Sequence, residues 1–221
     1  MPVNTIAYQT ICQQSIDAGV TLIAVSKTKP IDDILALYDL GQRDFGENYV
    51  QELVGKHEIL PKDIRWHFIG HLQSNKAKYI APFVHLVHGV DSEKLLSEIN
   101  KQGKKNNQII NCLLQVHIAQ EETKFGFDDN ELIELLNSGR LNELKNVTVK
   151  GLMGMASFTE DKHLIEKEFR HLKSLFDKAK TIISSVDTLS MGMSADYELA
   201  ISVGSNMIRV GSLLFGARNY G

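Results

Sequence analysis

Short apolar runs alternate with amphipathic stretches along the whole of this chain, and that rhythm constrains the fold more than any other feature. Eight runs have strand character: TLIAV (21–25), RDFG (43–46), RWHFIG (65–70), FVHLVHGV (83–90), IINCLLQV (109–116), VTVKGLM (147–153), TLSMG (188–192) and NMIRVG (206–211). A leading stretch over 4–18 is helical, and Pro30 opens a helix whose Ile31, Ile34, Leu35 and Tyr38 share one face. Helices over 48–60 and 73–81 follow. Ser92 is placed to cap a helix carrying Leu95, Leu96 and Ile99, and Asp128 with Glu131 has the form of a capping box for 128–138. The stretch 161–184 spaces Ile165, Phe169, Leu172, Phe176, Ala179 and Ile183 by fours and threes, and a last helix begins near 195.

Strict alternation of strand and helix builds a parallel sheet, either open and doubly wound or closed into a barrel. Spread over 221 residues, eight units take about 28 residues each, enough for strand, loop and helix. The count of eight favours a single (β/α)8 barrel, and no linker or composition shift divides 1–221 into more than one domain. A chain of this length buries a full core without disulfide or metal staples.

Its 24 basic and 27 acidic residues give a net charge of −3, which argues against a nucleic-acid binder. The densest basic stretch, KQGKK at 101–105, has the character of a solvated loop. No run approaches the roughly 18 apolar residues of a membrane span, and the first residues lack the charged-then-apolar pattern of a secretory signal. The two cysteines, Cys12 and Cys112, sit in unrelated settings and suit free thiols in a reducing compartment. The expectation is a cytoplasmic protein, with a monomer as the default.

Motifs narrow the chemistry. GxxxxGK[ST], an early GxGxxG, HExxH and GxSxG are all absent, which leaves nucleotide loops, zincins and nucleophile elbows without support. His67 and His71 are four apart, but Gly70 makes a helix there unfavourable, so no metal site is expected. The segment 191–216 is glycine-rich, and Gly192 and Gly211 fall at the ends of the seventh and eighth strands, where barrels hold phosphate. Ser194 would cap the next helix and turn its N–H groups toward an anion, with Gly211 and Ser212 adding donors; turn glycines and a cap serine explain the same residues. Asp196, in the first helical turn, would compete with a phosphate there. By the period of two, Lys27 continues the face of Thr21, Ile23 and Val25 and reaches the mouth end of the first strand. A partly desolvated lysine attacks carbonyls, whereas a rim lysine is simply solvated. Glu47, Asn48 and Lys124 fall in loops at the same end.

In order, AVSKTKP (24–30), FGENYVQE (45–52), WHFIGHLQSNK (66–76), EETKFGF (121–127), GLMGMASF (151–158), LSMGMSADYELAI (189–201) and GSNMIRVGSLLFGARNY (204–220) resemble one family. It is the pyridoxal phosphate homeostasis family, small proteins that bind pyridoxal 5'-phosphate (PLP) and are related to the barrel domain of alanine racemase. The resemblance runs from about 24 to 220 and implies a single (β/α)8 barrel with PLP at the strand C-terminal ends. It implies that Lys27 forms a Schiff base with PLP, that Ser194, Gly211 and Ser212 contact the phosphate, and that Arg209 faces the pyridine nitrogen. Asn48 resembles a pocket residue, Lys124 a basic residue at the mouth, and Met153 and His67 residues lining the ring. Asn206 departs from the family, which usually has threonine there.

An arginine is only a donor, so it leaves the pyridine nitrogen unprotonated and weakens the ring as an electron sink. Two functions follow. One is a carrier that limits free PLP and supplies PLP-dependent apo-enzymes. The other is an amino-acid racemase with Lys27 as one base. A racemase also needs a base on the opposite face, which alanine racemase draws from a partner subunit, together with a second, β-rich domain. Eight units use essentially all of the 221 residues, which favours the carrier.

Overall fold

A parallel strand cannot be joined to its neighbour by a tight hairpin, so each strand here must be followed by a crossover segment. The computed structural model describes residues 3–121 and 125–216. Its strands are β1 (Thr21–Val25), β2 (Asp44–Glu47), β3 (Arg65–Phe68), β4 (Leu86–Val90), β5 (Ile110–Gln115), β6 (Val147–Met153), β7 (Thr188–Ser190) and β8 (Met207–Val210). They pair in parallel in chain order, and β8 returns to β1 to close the barrel. Closure sets Ile23 opposite Arg209 and Ala24 opposite Val210. Of the two sheet forms the alternation permits, the closed one is observed.

The crossovers are α2 (Ile31–Asp39), α3 (Val50–Ile59), α4 (Ala77–Ile80), α5 (Glu93–Lys105), α6 (Asp129–Asn137), α7 (Lys162–Ile182) and α8 (Tyr197–Val203), with α1 (Thr5–Ala18) preceding β1. Caps follow the sequence signals. Pro30 precedes α2, Ser92 Oγ accepts from Leu95 N at 3.3 Å, and Asp128 and Glu131 complete a reciprocal box at 2.8 and 3.0 Å.

Several expectations need correction. Residues 101–105 are not a loop but the last turns of α5, where Gln102 and Gly103 are buried; Lys104 and Lys105 complement the negative end of the helix dipole. The expected helix 73–81 is a 3-10 turn (Ser74–Lys76) followed by the four-residue α4. Ser194 does not cap α8. That helix starts three residues later, Asp196 takes the position before it, and Asp196 Oδ1 accepts from Met193 N at 2.6 Å. A further helix among the described residues, α9 (Ser212–Phe215), carries no periodic signal in its four residues and so is invisible in the sequence. Lys124 lies outside the described residues.

Alternate residues of each strand face two different environments. Leu22, Ala24, Phe45, Trp66, Phe68, Cys112, Leu152, Leu189 and Ile208 pack in the main core with the helices. Ile23, Leu86, Leu113, Met153 and Met207 form a separate apolar cluster inside the barrel. At Gly151 the β5–β6 register shifts, and an added Cβ would run into the Thr188 carbonyl of β7. Two backbones therefore approach where only hydrogen fits. Gly151→Ala is expected to lose about 3 kcal/mol through this overpacking, a fall of roughly 6–12 °C in Tm by calorimetry.

Candidate functional site

The strand C-terminal ends open into a cleft of about 340 Å3. Lys27, Asn48, Ser194, Arg209, Gly211 and Ser212 all line it, brought together from the segments after β1, β2 and β7 and from β8 and its exit. Six residues spread over 186 positions of chain meet because β8 lies beside β1. Lys27 is half-buried on the β1 side of the cleft, two residues past Val25, which also lines it.

Lys29, the neighbouring lysine, has a different job. Its Nζ donates to the Phe215 carbonyl at 2.8 Å and to that of Gly216 at 3.3 Å, tying the first loop to α9. Between the two lysines, Thr28 adopts φ +61°. A β-branched residue in the left-handed region is strained by roughly 1–3 kcal/mol. The turn is held by Lys29 N to Ser26 O at 3.0 Å, Ser26 N to Gly46 O at 3.0 Å, and Thr28 N to Glu52 Oε1 at 2.6 Å.

Beneath this turn lies a buried ion network that sequence inspection missed. Glu47 is fully buried, and its Oε1 accepts from Ser26 Oγ at 2.5 Å and from Lys56 Nζ at 2.7 Å. Lys56 also donates to Glu52 Oε1 at 2.6 Å and to the Ser26 carbonyl at 2.8 Å. The i, i+4 spacing of Glu52 and Lys56 was visible; that a buried Glu47 would join them was not, because DFGE also reads as a strand running into a polar loop. Burial pushes the Glu47 carboxyl up to about 6 despite the lysine.

On the β8 side, Arg209 is buried and its guanidinium is anchored twice. Nη1 donates to Ser190 Oγ at 2.6 Å and Nη2 to the Gly154 carbonyl at 3.1 Å. Burial lowers its pKa to about 10, so it stays cationic near neutral pH. Ser194 Oγ accepts from Gly211 N at 3.2 Å, which links the β7 and β8 exits. Gly211 precedes α9, whose first N–H groups are the orphan donors of any helix start. Asn48 Oδ1 is shielded from solvent with no partner among the described residues. Behind it, Gly70 has no room for a Cβ against the Asn48 backbone.

Two residues expected at the ring are placed otherwise. His67 is fully buried inside the barrel, because β3 ends at Phe68 and Ile69 takes the mouth position. Met153 belongs to the interior cluster, with Met155 lining the cleft in its stead. His67 Nε2 lies 3.0 Å from Asp44 Oδ1 and its Nδ1 lies 3.0 Å from His88 Nε2. Asp44, His67 and His85 offer atoms within 4.8 Å of one another. The cation placed there is the Arg65 guanidinium, whose Nε donates to Asp44 Oδ1 at 2.7 Å and whose Nη2 donates to Oδ2. Burial alone would raise the Asp44 pKa, but hydrogen bonds from His67 and Arg65 outweigh it and hold the carboxyl at about 2. Asn206, the family departure, donates to Asp187 O at 2.6 Å and accepts from Leu189 N at 2.7 Å, away from the cleft.

These two carboxyls give opposite limbs to the pH dependence of folding. Glu47 titrates near 6 when folded against 4.5 ordinarily, so its contribution is full below 4.5 and is lost as pH rises through 6. Asp44 titrates near 2 against 3.8, so its contribution is present above 3.8 and lost as pH falls through 2. Denaturant titrations should show stability rising by up to about 2 kcal/mol from pH 7 to 4.5 on account of Glu47. Glu47→Gln should flatten that limb, and Asp44→Asn the decline below pH 4.

The chain matches the family model of the alanine racemase N-terminal domain over residues 7–219. It is 39% identical over 209 residues to the pyridoxal phosphate homeostasis protein of Pasteurella multocida, covering 92% of this chain and 89% of that protein. The protein of the same name from Haemophilus influenzae is 40% identical over 206 residues, 91% of this chain and 86% of the relative. PipY of Synechococcus elongatus, solved with PLP bound, superposes with a TM-score of 0.84 at 33% identity, covering 96% of this chain and all of PipY. Its PLP-free structure gives 0.87 at 34% identity with the same coverage.

Proposed function

This chain belongs to the pyridoxal phosphate homeostasis protein family, and from that premise we propose that it binds PLP and serves intracellular vitamin B6 homeostasis as a carrier. One observation carries the reading: Lys27, Asn48, Ser194, Arg209, Gly211 and Ser212 line a single cleft. The residues fit the cofactor: the Ser194 and Ser212 hydroxyls and the Arg209 guanidinium can donate to an anionic ligand, and the shielded Asn48 Oδ1, unpartnered among the described residues, can accept from a donor on it. PLP would supply an aldehyde, a phosphate dianion and a pyridine nitrogen.

In this reading Lys27 would hold PLP, its amine being the group that can form a Schiff base with the aldehyde. Lys29 is unsuited to that part because its ammonium is committed to the Phe215 and Gly216 carbonyls. Ser194, Gly211 and Ser212 would hold the phosphate, the Ser194 hydroxyl being able to donate to it while accepting from Gly211 N. Arg209 would face the pyridine nitrogen, and Asn48 would border the ring. The protein acts as a cytoplasmic, single-domain monomer that passes PLP to apo-enzymes, rather than as a catalyst. The ionisable groups among the described lining residues are Lys27, Lys29 and Arg209. Lys29 and Arg209 are engaged with carbonyl and hydroxyl partners.

Purified protein incubated with PLP is expected to turn yellow, and borohydride to fix pyridoxyl mass on Lys27; label on Lys29 would overturn the assignment. Arg209→Ala should retain the covalent label while shifting the absorption band and weakening affinity. Amino-acid racemisation by the PLP-loaded protein should stay at background, whereas turnover of about one per second or faster would make it an enzyme.

A further inference from the structure

The barrel interior holds a line of polar side chains that the cleft alone does not explain. From the mouth inward, Arg209 Nη1 lies 2.6 Å from Ser190 Oγ, and Ser190 Oγ 3.2 Å from His88 Nδ1. His88 Nε2 lies 3.0 Å from His67 Nδ1, and His67 Nε2 3.0 Å from Asp44 Oδ1. The line begins on β8, passes through β7, β4 and β3, and ends at the first residue of β2, on the face opposite the cleft. All five residues are buried.

The chemistry of the two ends fixes the direction of every link. Arginine only donates, and an ionised carboxylate only accepts. The Ser190 hydroxyl, receiving from Arg209, passes its own hydrogen to His88 Nδ1. His88 therefore carries its proton on Nε2 and gives it to His67 Nδ1, and His67 carries its proton on Nε2 and gives it to Asp44. The reverse order would point a bare imidazole lone pair at the carboxylate. Burial lowers the pKa of both histidines, which keeps each ring singly protonated as this order requires. A hydroxyl that donates is a better acceptor, so the links strengthen one another toward Arg209.

We propose that Ser190, His88, His67 and Asp44 form a one-way hydrogen-bond chain that fixes the Arg209 guanidinium in the cleft, making Asp44 a positioning residue for it from the far face of the barrel. The inference deepens the PLP-binding reading and rests on it for the ring that Arg209 faces. With Nη1 held by the chain and Nη2 by the Gly154 carbonyl, the guanidinium plane is set before any ligand arrives. An apolar residue at position 44 would remove the acceptor that sets this order and leave the His67 Nε2 proton without its partner. The links would then lose their fixed direction, and the Ser190 hydroxyl would no longer be bound to donate to His88.

Nitrogen-15 NMR of the PLP-free protein tests this without reference to the cofactor. Both His67 and His88 should be neutral with the proton on Nε2, and Asp44→Leu, which removes the acceptor, should change the tautomer populations of both rings and shift the Arg209 side-chain resonances. Arg65→Gln, which removes the ion pair but keeps the carboxylate, should leave both tautomers unchanged. With PLP added, Asp44→Leu should shift the absorption band and weaken binding roughly five-fold, the worth of about one hydrogen bond. A wild-type proton on Nδ1 of either ring, or doubly protonated rings, would overturn the proposal even if the variant failed to fold. Arg209 resonances indifferent to Asp44→Leu would do the same. Failure of the wild type to bind PLP, with the tautomers as described, would overturn the carrier reading alone.

Discussion

The hydrogen bonds between β1 and β8 are the contact on which the site depends. They turn a row of βα units into a closed ring and place Ile23 beside Arg209. Without that seam, Lys27 and Gly211 would sit at opposite edges of an open sheet. Lys29 reinforces it from outside through the Phe215 and Gly216 carbonyls, and Asn4 N adds a bond to the Leu214 carbonyl at 2.8 Å. The lysine assigned to the aldehyde and the donors assigned to the phosphate are therefore held by one local structure.

The two sides of the cleft are stiffened by different means. On the Lys27 side a strained turn is pinned by the Glu47–Lys56–Glu52 network, packed between strand and helix. On the Arg209 side, polar groups occupy interior positions that aliphatic side chains fill in most barrels. Both arrangements bury charge, which adds little to stability compared with well-packed apolar residues. Their value lies in setting where an ammonium and a guanidinium sit.

The architecture was legible in the sequence because its signals are local. Strand and helix periods, Pro30, the Ser92 cap and the Asp128–Glu131 box each act within a few residues, and each is present in the fold. Six cleft residues were named from motif resemblance, and the structure gathers them in one place. The errors arose where a local pattern had two outcomes. Ser194 and Asp196 both suit a helix start, and the aspartate holds that position while the serine turns to Gly211. His67 was placed at the ring by resemblance, but Ile69, two residues nearer the strand's C-terminal end, takes the mouth position. The interior chain was illegible for another reason: Ser190 and His88 are 102 positions apart, and only barrel curvature makes them neighbours.

The seam between the first and last strands also governs how the molecule comes into being. During synthesis β8 is made some 180 residues after β1. Until then the growing sheet has two exposed edges, each a template for the wrong partner. The cleft is walled by both ends of the barrel's chain order, so it is complete only once β8 has paired with β1. The same pairing removes the edges.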